Sequence, residues 1–339
     1  MNTAKLCAPP ATAAAARPAR RAGLSTRTKL TVLLLLAVLA GALYLCVDID
    51  PRYVSFAIRL RLPKLVVMLL TAFCIGSASI VFQSIINNTI VTPCLLGMNS
   101  LYTAIHTGVV FFLGSGSLIA RSSNLAFLTD LALMGGAATL IYSYLFQKTR
   151  YNVLYVLLAG TILTTFFSSL QSTMTRAMDP NEYDALLATL VASFSNVNSE
   201  IIALSALMMG AVIFFLRREL ALLDVINLGK AQAINLGVDY DRVIRKLLLG
   251  VVLFITIATA MVGPISFLGL IIANLSRQLL RTYRHGPLML GSALFGMVIL
   301  VFGQLIVEHV FVYTIPVSVF ITVGGGIYFL YLLLTQKRR

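Results

Sequence analysis

The chain has 339 residues, of which 59% are hydrophobic and only 11% are charged. A mean hydropathy of +0.92 places it among polytopic membrane proteins and excludes a soluble globular core. Its net charge of +14 does not mark a nucleic-acid binder, because the basic residues alternate between rich and poor connections, as the positive-inside rule requires.

Residues 1–29, rich in Ala, Pro and Arg, read as a disordered basic tail, and 30–335 as a single all-α domain. Ten apolar runs in that domain are long enough, or nearly so, to cross a bilayer as helices. Arg20-Arg21 ahead of the first run mimics a twin-arginine signal, but nine spans follow and no small-residue cleavage site is convincing. The first span is therefore retained, at 30–47. An external segment, 48–62, leads to a second span that opens at Pro63, a residue suited to a helix first turn, and closes near Ile86. Asn87-Asn88-Thr89 and Thr92-Pro93 break the chain before a third span at 95–113. Spans at 124–146 and 153–174 flank a tight basic turn, 147–150. The external connection 175–199 carries Asp179-Pro180 and a short surface helix over 183–194. A sixth span at 200–216 enters the longest polar stretch, and a seventh at 244–262 ends on the sharp break Gly263-Pro264. The eighth, 267–280, has 14 residues where a crossing wants about 20, so neighbouring helices must shield it. Spans at 287–310 and 315–334 complete the set.

Orientation follows from charge. With the N-terminus inside, the cytoplasm holds Lys5, Arg17, Arg20, Arg21, Arg27, Lys29, Lys148, Arg150, Arg277, Arg281, Arg284, the three terminal basic residues and all those of the stretch 217–246. Only six of the 26 then remain outside: Arg52, Arg59, Arg61, Lys64, Arg121 and Arg176. Both termini are expected in the cytoplasm, with the chain a multi-pass protein of the cell membrane.

The polar stretch 217–246 mixes six basic residues (Arg217, Arg218, Lys230, Arg242, Arg245, Lys246) with four acids (Glu219, Asp224, Asp239, Asp241). Leu222, Val225 and Ile226, then Ala231, Ala233, Ile234 and Leu236, recur at helical spacing. Gly229 and Gly237 stand where short helices would stop. The stretch reads as two short amphipathic helices outside the bilayer, able to lie on the membrane or to grip another protein.

Several chemistries lack their parts. All twelve acids fall outside the spans or at their ends, with Asp130 and Glu308 closest to the interior, whereas ion-coupled carriers place carboxylates or histidines at mid-membrane. Gly229-Lys230 has no upstream glycine and no following Ser or Thr, so it is not a P-loop. His106, His285 and His309 are too dispersed for a metal site, and Cys7, Cys46, Cys74 and Cys94 show no paired spacing. No cofactor, no metal and no enzymatic activity are expected, and any energy must come from a partner.

Two features point to transport. Thr161, Thr164, Thr165, Ser168, Ser169, Ser172 and Thr175 put hydroxyls on one face of the fifth span. They either mediate helix packing and bond their own backbone, as is common in membranes, or line a solvated pathway. Outside, Arg59, Arg61 and Lys64 crowd the start of the second span. Cations anchor to headgroups, but the helix dipole disfavours them at an N-terminus, which favours binding of an acidic partner.

Four blocks then carry a family resemblance: Arg61-Leu62-Pro63-Lys64; the Asn88, Thr92-Pro93, Leu96-Gly97 break; Leu228-Gly229, Ala233, Leu236-Gly237-Val238; and 263–270 (GPISFLGL) with Ile315-Pro316-Val317. The chain resembles permease subunits of the binding-protein-dependent ABC importers for ferric siderophores, haem and cobalamin. The resemblance spans about residues 30–335. It implies a ten-helix permease paired with a second permease subunit around one pathway, two cytoplasmic ATPase subunits and an extracytoplasmic substrate-binding protein. Arg61 and Lys64 match basic positions that dock the binding protein, with Arg59 beside them. Asp224, Leu228, Gly229, Ala233, Leu236 and Gly237 lie in the coupling segment that sits on the ATPase. Thr161, Thr165, Ser168 and Ser172 match the pathway-lining helix. Lys64 departs from the family's second Arg and so loses bidentate pairing, and Glu308-His309 stands where some members carry a third docking Arg. From Gln83 to Tyr102 the chain looks like the second of two non-identical permeases in catecholate-type siderophore systems. Haem or cobalamin as cargo is the alternative within the family. A membrane receptor or assembly protein without an ATPase, and a secondary carrier, are the rivals outside it.

Overall fold

The computed structural model describes residues 25–48, 51–114, 116–117, 122–149, 153–194, 199–312 and 315–336. Among these residues the chain is all helical. The α-helices are α1 (Thr26–Cys46), α2 (Val54–Ile86), α3 (Met98–Leu113), α4 (Ser123–Lys148), α5 (Val153–Ala177), α6 (Pro180–Leu190), α7 (Ser199–Ile226), α8 (Lys230–Asn235), α9 (Tyr240–Val262), α10 (Leu268–Leu280), α11 (His285–His309) and α12 (Val317–Gln336). Short 3-10 turns precede α2 (Pro51–Tyr53) and α3 (Pro93–Leu96).

Eight of these helices are long and apolar enough to cross a membrane. The other two expected spans are α3, with 16 residues, and α10, with 13. An apolar helix with no polar face is buried all round. That holds for α2 and α9, in which 78% and 72% of the most apolar window is buried. They form the centre, with α11 packed on α2, and with α4 and α7 on α9. The α2–α11 approach depends on small residues: a Cβ on Gly76 would stand 2.6 Å from Ser292 Oγ, and one on Gly296 2.7 Å from Ala72 Cβ. α1 covers α11, α3 pairs with α5, and α12 leans on α10 and α11.

Several boundaries differ from the sequence expectation. The tail expected over 1–29 lies mostly outside the described residues, but its end is helical, because α1 starts at Thr26. α2 starts at Val54, not at Pro63, which sits inside the helix. Proline removes the bond to the Arg59 carbonyl. The segment before it is largely exposed, so water can take that bond. α7 does not stop at the charged residues: it continues through Arg217 to Ile226, so the first of the two expected short helices is the end of a 28-residue helix. Charges end a membrane span, not a helix, and Arg, Glu, Leu and Ala are all good helix formers. Lys246 Nζ donates to Glu219 Oε1 at 2.6 Å and ties this extension to α9. α9 in turn begins at Tyr240, where the Asp239 side chain accepts from Arg242 N at 3.2 Å. The surface helix expected over 183–194 is α6, started by Pro180 and by Asp179, whose carboxylate accepts from Asn181 N at 2.9 Å.

Candidate functional site

The described chain presents three polar regions, one at each end of the bundle and one between them. On the side reached by the end of α1, Arg61 Nη1 donates to the Tyr44 and Val47 carbonyls at 2.9 and 2.6 Å, which satisfies groups that a helix C-terminus leaves open. Its guanidinium also stands 5.7 Å from the centre of the Tyr44 ring. Lys64 Nζ lies 3.3 Å from Glu308 Oε1, their side chains 18% and 6% exposed. That oxygen also accepts from Tyr44 Oη at 2.9 Å and Gln304 Nε2 at 2.8 Å. Of the three residues expected to dock a partner, Arg61 and Lys64 therefore hold α1, α2 and α11 together, and Arg59 stands on the exposed face.

The second region is where two helices break. Gly97 (φ +89°) follows the Pro93–Leu96 turn, and Gly263 (φ +99°) and Phe267 (φ 61°) bracket the other break. The two segments meet: Cys94 Sγ donates weakly to the Ile265 carbonyl at 3.8 Å, and Asn99 Nδ2 donates to Ser266 Oγ at 3.2 Å. Between them lies a cavity of about 170 Å³ whose lining includes Ile90, Thr92, Cys94, Ser266, Phe267 and Phe329. α10, about 20 Å long at 1.5 Å per residue, is shorter than a membrane core of about 30 Å, so as a membrane helix it would place this break at membrane depth. Irregular backbone is tolerated there only when buried in protein or lining a cavity.

α5 lies over this break. A Cβ on Gly160 would stand 2.9 Å from Leu96 Cα, and one on Gly97 2.8 Å from Thr164 Oγ1, so glycine alone permits the approach. The helix has three faces. Val156, Gly160 and Phe167 pack inward. Thr161, Thr165, Ser168 and Ser172 are exposed on a second face, and Ile162, Phe166 and Leu170 are exposed on the third. Much of the hydroxyl set bonds locally: Thr161 to the Leu158 carbonyl at 2.7 Å and Thr165 to the Thr161 carbonyl at 3.1 Å. Ser168 reaches Ser100 Oγ on α3 at 3.3 Å.

At the third region, the end opposite the Glu308 cluster, Gly229 and Gly237 both adopt positive φ, +103° and +82°. Gly237 N donates to the Ile234 carbonyl at 2.9 Å and Val238 N to the Ala233 carbonyl at 3.0 Å, the paired bonds of a Schellman stop. Ala233 is fully buried, whereas Leu228, Ile234 and Leu236 are more than half exposed amid charged neighbours. Asp224 instead turns inward onto His285, whose backbone N–H donates to its carboxylate at 3.1 Å. A buried histidine–carboxylate contact was not foreseen: Asp130 on α4 is 4% exposed and meets His106 Nδ1 of α3 at 2.8 Å, under the stacked ring of Tyr102. The two lie 24 residues apart, so no local spacing announces them.

The profile of the FecCD transport family matches residues 28–335. The petrobactin import system permease protein YclO of Bacillus subtilis is 36% identical over 310 residues, covering 91% of this chain and 98% of its own. The petrobactin import system permease protein FatC of Bacillus anthracis is 33% identical over 293 residues, covering 86% and 82%. A solved chain of a metal-chelate type ABC transporter in an inward-facing conformation superposes with a TM-score of 0.79 at 23% identity, covering 91% of this chain and 99% of that one.

Proposed function

This chain belongs to the FecCD transport family, and from that premise we propose that it is the permease of an ATP-driven importer carrying a ferric siderophore into the cytoplasm. The observation that supports this most is the meeting of the two broken helices against α5, whose Gly160 side packs on the break while Thr161, Thr165, Ser168 and Ser172 form an exposed hydroxyl face beside it. That arrangement offers a bulky, polar chelate weak dipoles in place of fixed charges that would trap or repel it. Both relatives named for petrobactin import favour an iron chelate over haem or cobalamin. In this reading ten helices cross the membrane with both termini inside, and the exposed Leu228, Ile234 and Leu236 seat on a cytoplasmic ATPase. A second permease, non-identical to this one, completes the pathway, two ATPases drive it, and a binding protein delivers cargo to the side of Arg59, Arg61 and Lys64. The test is uptake of radio-iron-labelled ferric petrobactin into vesicles holding the permease pair and its ATPases, with the binding protein added outside. Uptake that needs ATP is expected. Equal uptake without the ATPase would leave a secondary carrier, and none in any condition a receptor or assembly protein.

Coupling is expected to fail when Gly237 becomes valine. No atom lies within 4 Å of a Cβ there, so the cost is backbone strain alone, about 1–2 kcal/mol for an L-residue at positive φ. The variant should reach the membrane at normal levels and lose stimulation of ATP hydrolysis by loaded binding protein, as should Gly229→Val. Wild-type stimulation in both would remove the segment from coupling.

Pathway lining is tested by single cysteines at Thr161, Thr165, Ser168 and Ser172, in a chain lacking Cys7, Cys46, Cys74 and Cys94. These should react with a membrane-impermeant thiol reagent in a nucleotide-dependent way. Cysteines at Ile162, Phe166 and Leu170, on the apolar exposed face, should not, because lipid or a neighbouring helix covers it. Val156 and Phe167, 4% and 7% exposed, are the packed controls. Equal reaction on both exposed faces would return the hydroxyls to ordinary helix packing.

A further inference from the structure

The geometry points to His285 as a positioning residue that ties the segment facing the ATPase to the helix break at the pathway; this rests on the ATP-driven reading above. His285, 2% exposed, opens α11 and is held on both sides. Its Nδ1 faces Asp224 Oδ1 of α7, a carboxylate that also receives the His285 backbone N–H. Its Nε2 lies 2.8 Å from Ser84 Oγ in the last turn of α2. Ser84 Oγ in turn accepts from Arg277 Nη2 of α10 at 2.9 Å and sits 2.8 Å from the Ile80 carbonyl. Arg277 Nε reaches Gln83 Oε1 at 3.3 Å.

The line then leaves the helices. Gln83 Nε2 and Asn274 Nδ2 both donate to the Thr89 carbonyl, at 2.8 and 3.0 Å. Thr89 lies just ahead of Ile90 and Thr92 in the cavity wall, and Asp224 lies just ahead of Leu228 and Gly229 at the tip. A continuous series of hydrogen bonds thus joins α7, α11, α2 and α10 to the break. Exposure runs the same way, from an Asp224 side chain 40% exposed to an almost fully buried imidazole. Buried polar groups that lose a partner are costly, so displacing Asp224 must either carry His285 with it or leave the buried imidazole short of a partner. The imidazole suits the task because its two nitrogens are fixed in one flat ring, which passes a displacement to Ser84 where a flexible side chain would absorb it.

The test uses the full chain in complex with its permease and ATPase partners, lacking its four native cysteines and carrying Ile90→Cys at the cavity wall. The rate of reaction with an impermeant maleimide is measured without nucleotide and with a non-hydrolysable ATP analogue. Otherwise unaltered, the complex should show rates that differ between the two states by roughly tenfold, within the usual range of coupling between distant sites. His285→Ala, and separately Ser84→Ala, should bind the nucleotide normally and label at one rate in both states. Ser84→Ala removes a single oxygen and guards against loss of folding. His285→Asn, able to reach only Asp224, and His285→Gln, able to reach only Ser84, should each behave like alanine, whereas a residue that merely fills space would be rescued by glutamine. A wild-type nucleotide ratio in His285→Ala and Ser84→Ala would overturn the inference. A rate indifferent to nucleotide in the otherwise unaltered complex would overturn the ATP-driven reading, and this inference with it.

Discussion

Gly160→Leu is expected to prevent α5 from seating on the break and to abolish transport, and Gly160→Ala to destabilise the protein by about 1–3 kcal/mol, the usual cost of overpacking. The cause is local. A Cβ on Gly160 meets Leu96 at its Cα and carbonyl carbon, 2.9 and 3.4 Å away, and backbone cannot turn aside as a side-chain tip can. Leu96 is itself held from behind by Tyr142, whose hydroxyl donates to its carbonyl. Gly210 is the control, because it lies within α7 with no atom inside 4 Å of a Cβ. Alanine there should leave stability unchanged or raise it by about 0.5–1 kcal/mol, the ordinary helix preference. Thermal unfolding of the purified permease in detergent reads both. Equal unfolding temperatures for Gly160→Ala and the parent chain would show that α5 does not bear on the break as described.

Glu308→Ala is expected to cost about 3–5 kcal/mol, the range for breaking a buried ion pair by removing one partner. Three donors converge on the one oxygen: Lys64, Tyr44 and Gln304. Alanine takes this shared acceptor from all three and weakens the polar tie of α1 and α2 to α11. Glu308→Gln keeps the shape and one acceptor and should cost less. The comparison also separates two roles for the basic cluster. If Arg59 docks an acidic binding protein from its exposed face, Arg59→Glu should weaken docking, increasingly so at low salt, and leave thermal unfolding unchanged. Lys64→Glu, placed against Glu308, should lower stability first. An unfolding temperature unmoved by Glu308→Ala would mean that Lys64 is held by its other surroundings, and docking unmoved by Arg59→Glu would make that residue a headgroup anchor.

The membrane class, the helical class, the order of the apolar runs and the family blocks were legible in the sequence because each rests on local composition or spacing. Hydropathy over a window of about 20 residues reports what the bilayer solvates, whatever the rest of the chain does. The stops at Gly229, Gly237 and Gly263 were equally local, since positive φ is a property of one residue. Helix ends were not, because hydropathy marks where the membrane stops: α7 runs on through Arg217 to Ile226 and α2 starts nine residues before Pro63. Nor were the partners of charged groups. Lys64 and Glu308 are 244 residues apart, Ser84 and His285 201, and nothing in either neighbourhood names the other. Tertiary structure alone decided that Arg61 caps α1, that Asp224 turns inward to His285, and that Asp130 is buried against His106. The physical reason is that a buried polar group must find a partner somewhere, and in a bundle of long helices that partner is supplied by whichever helix the packing of small residues brings alongside.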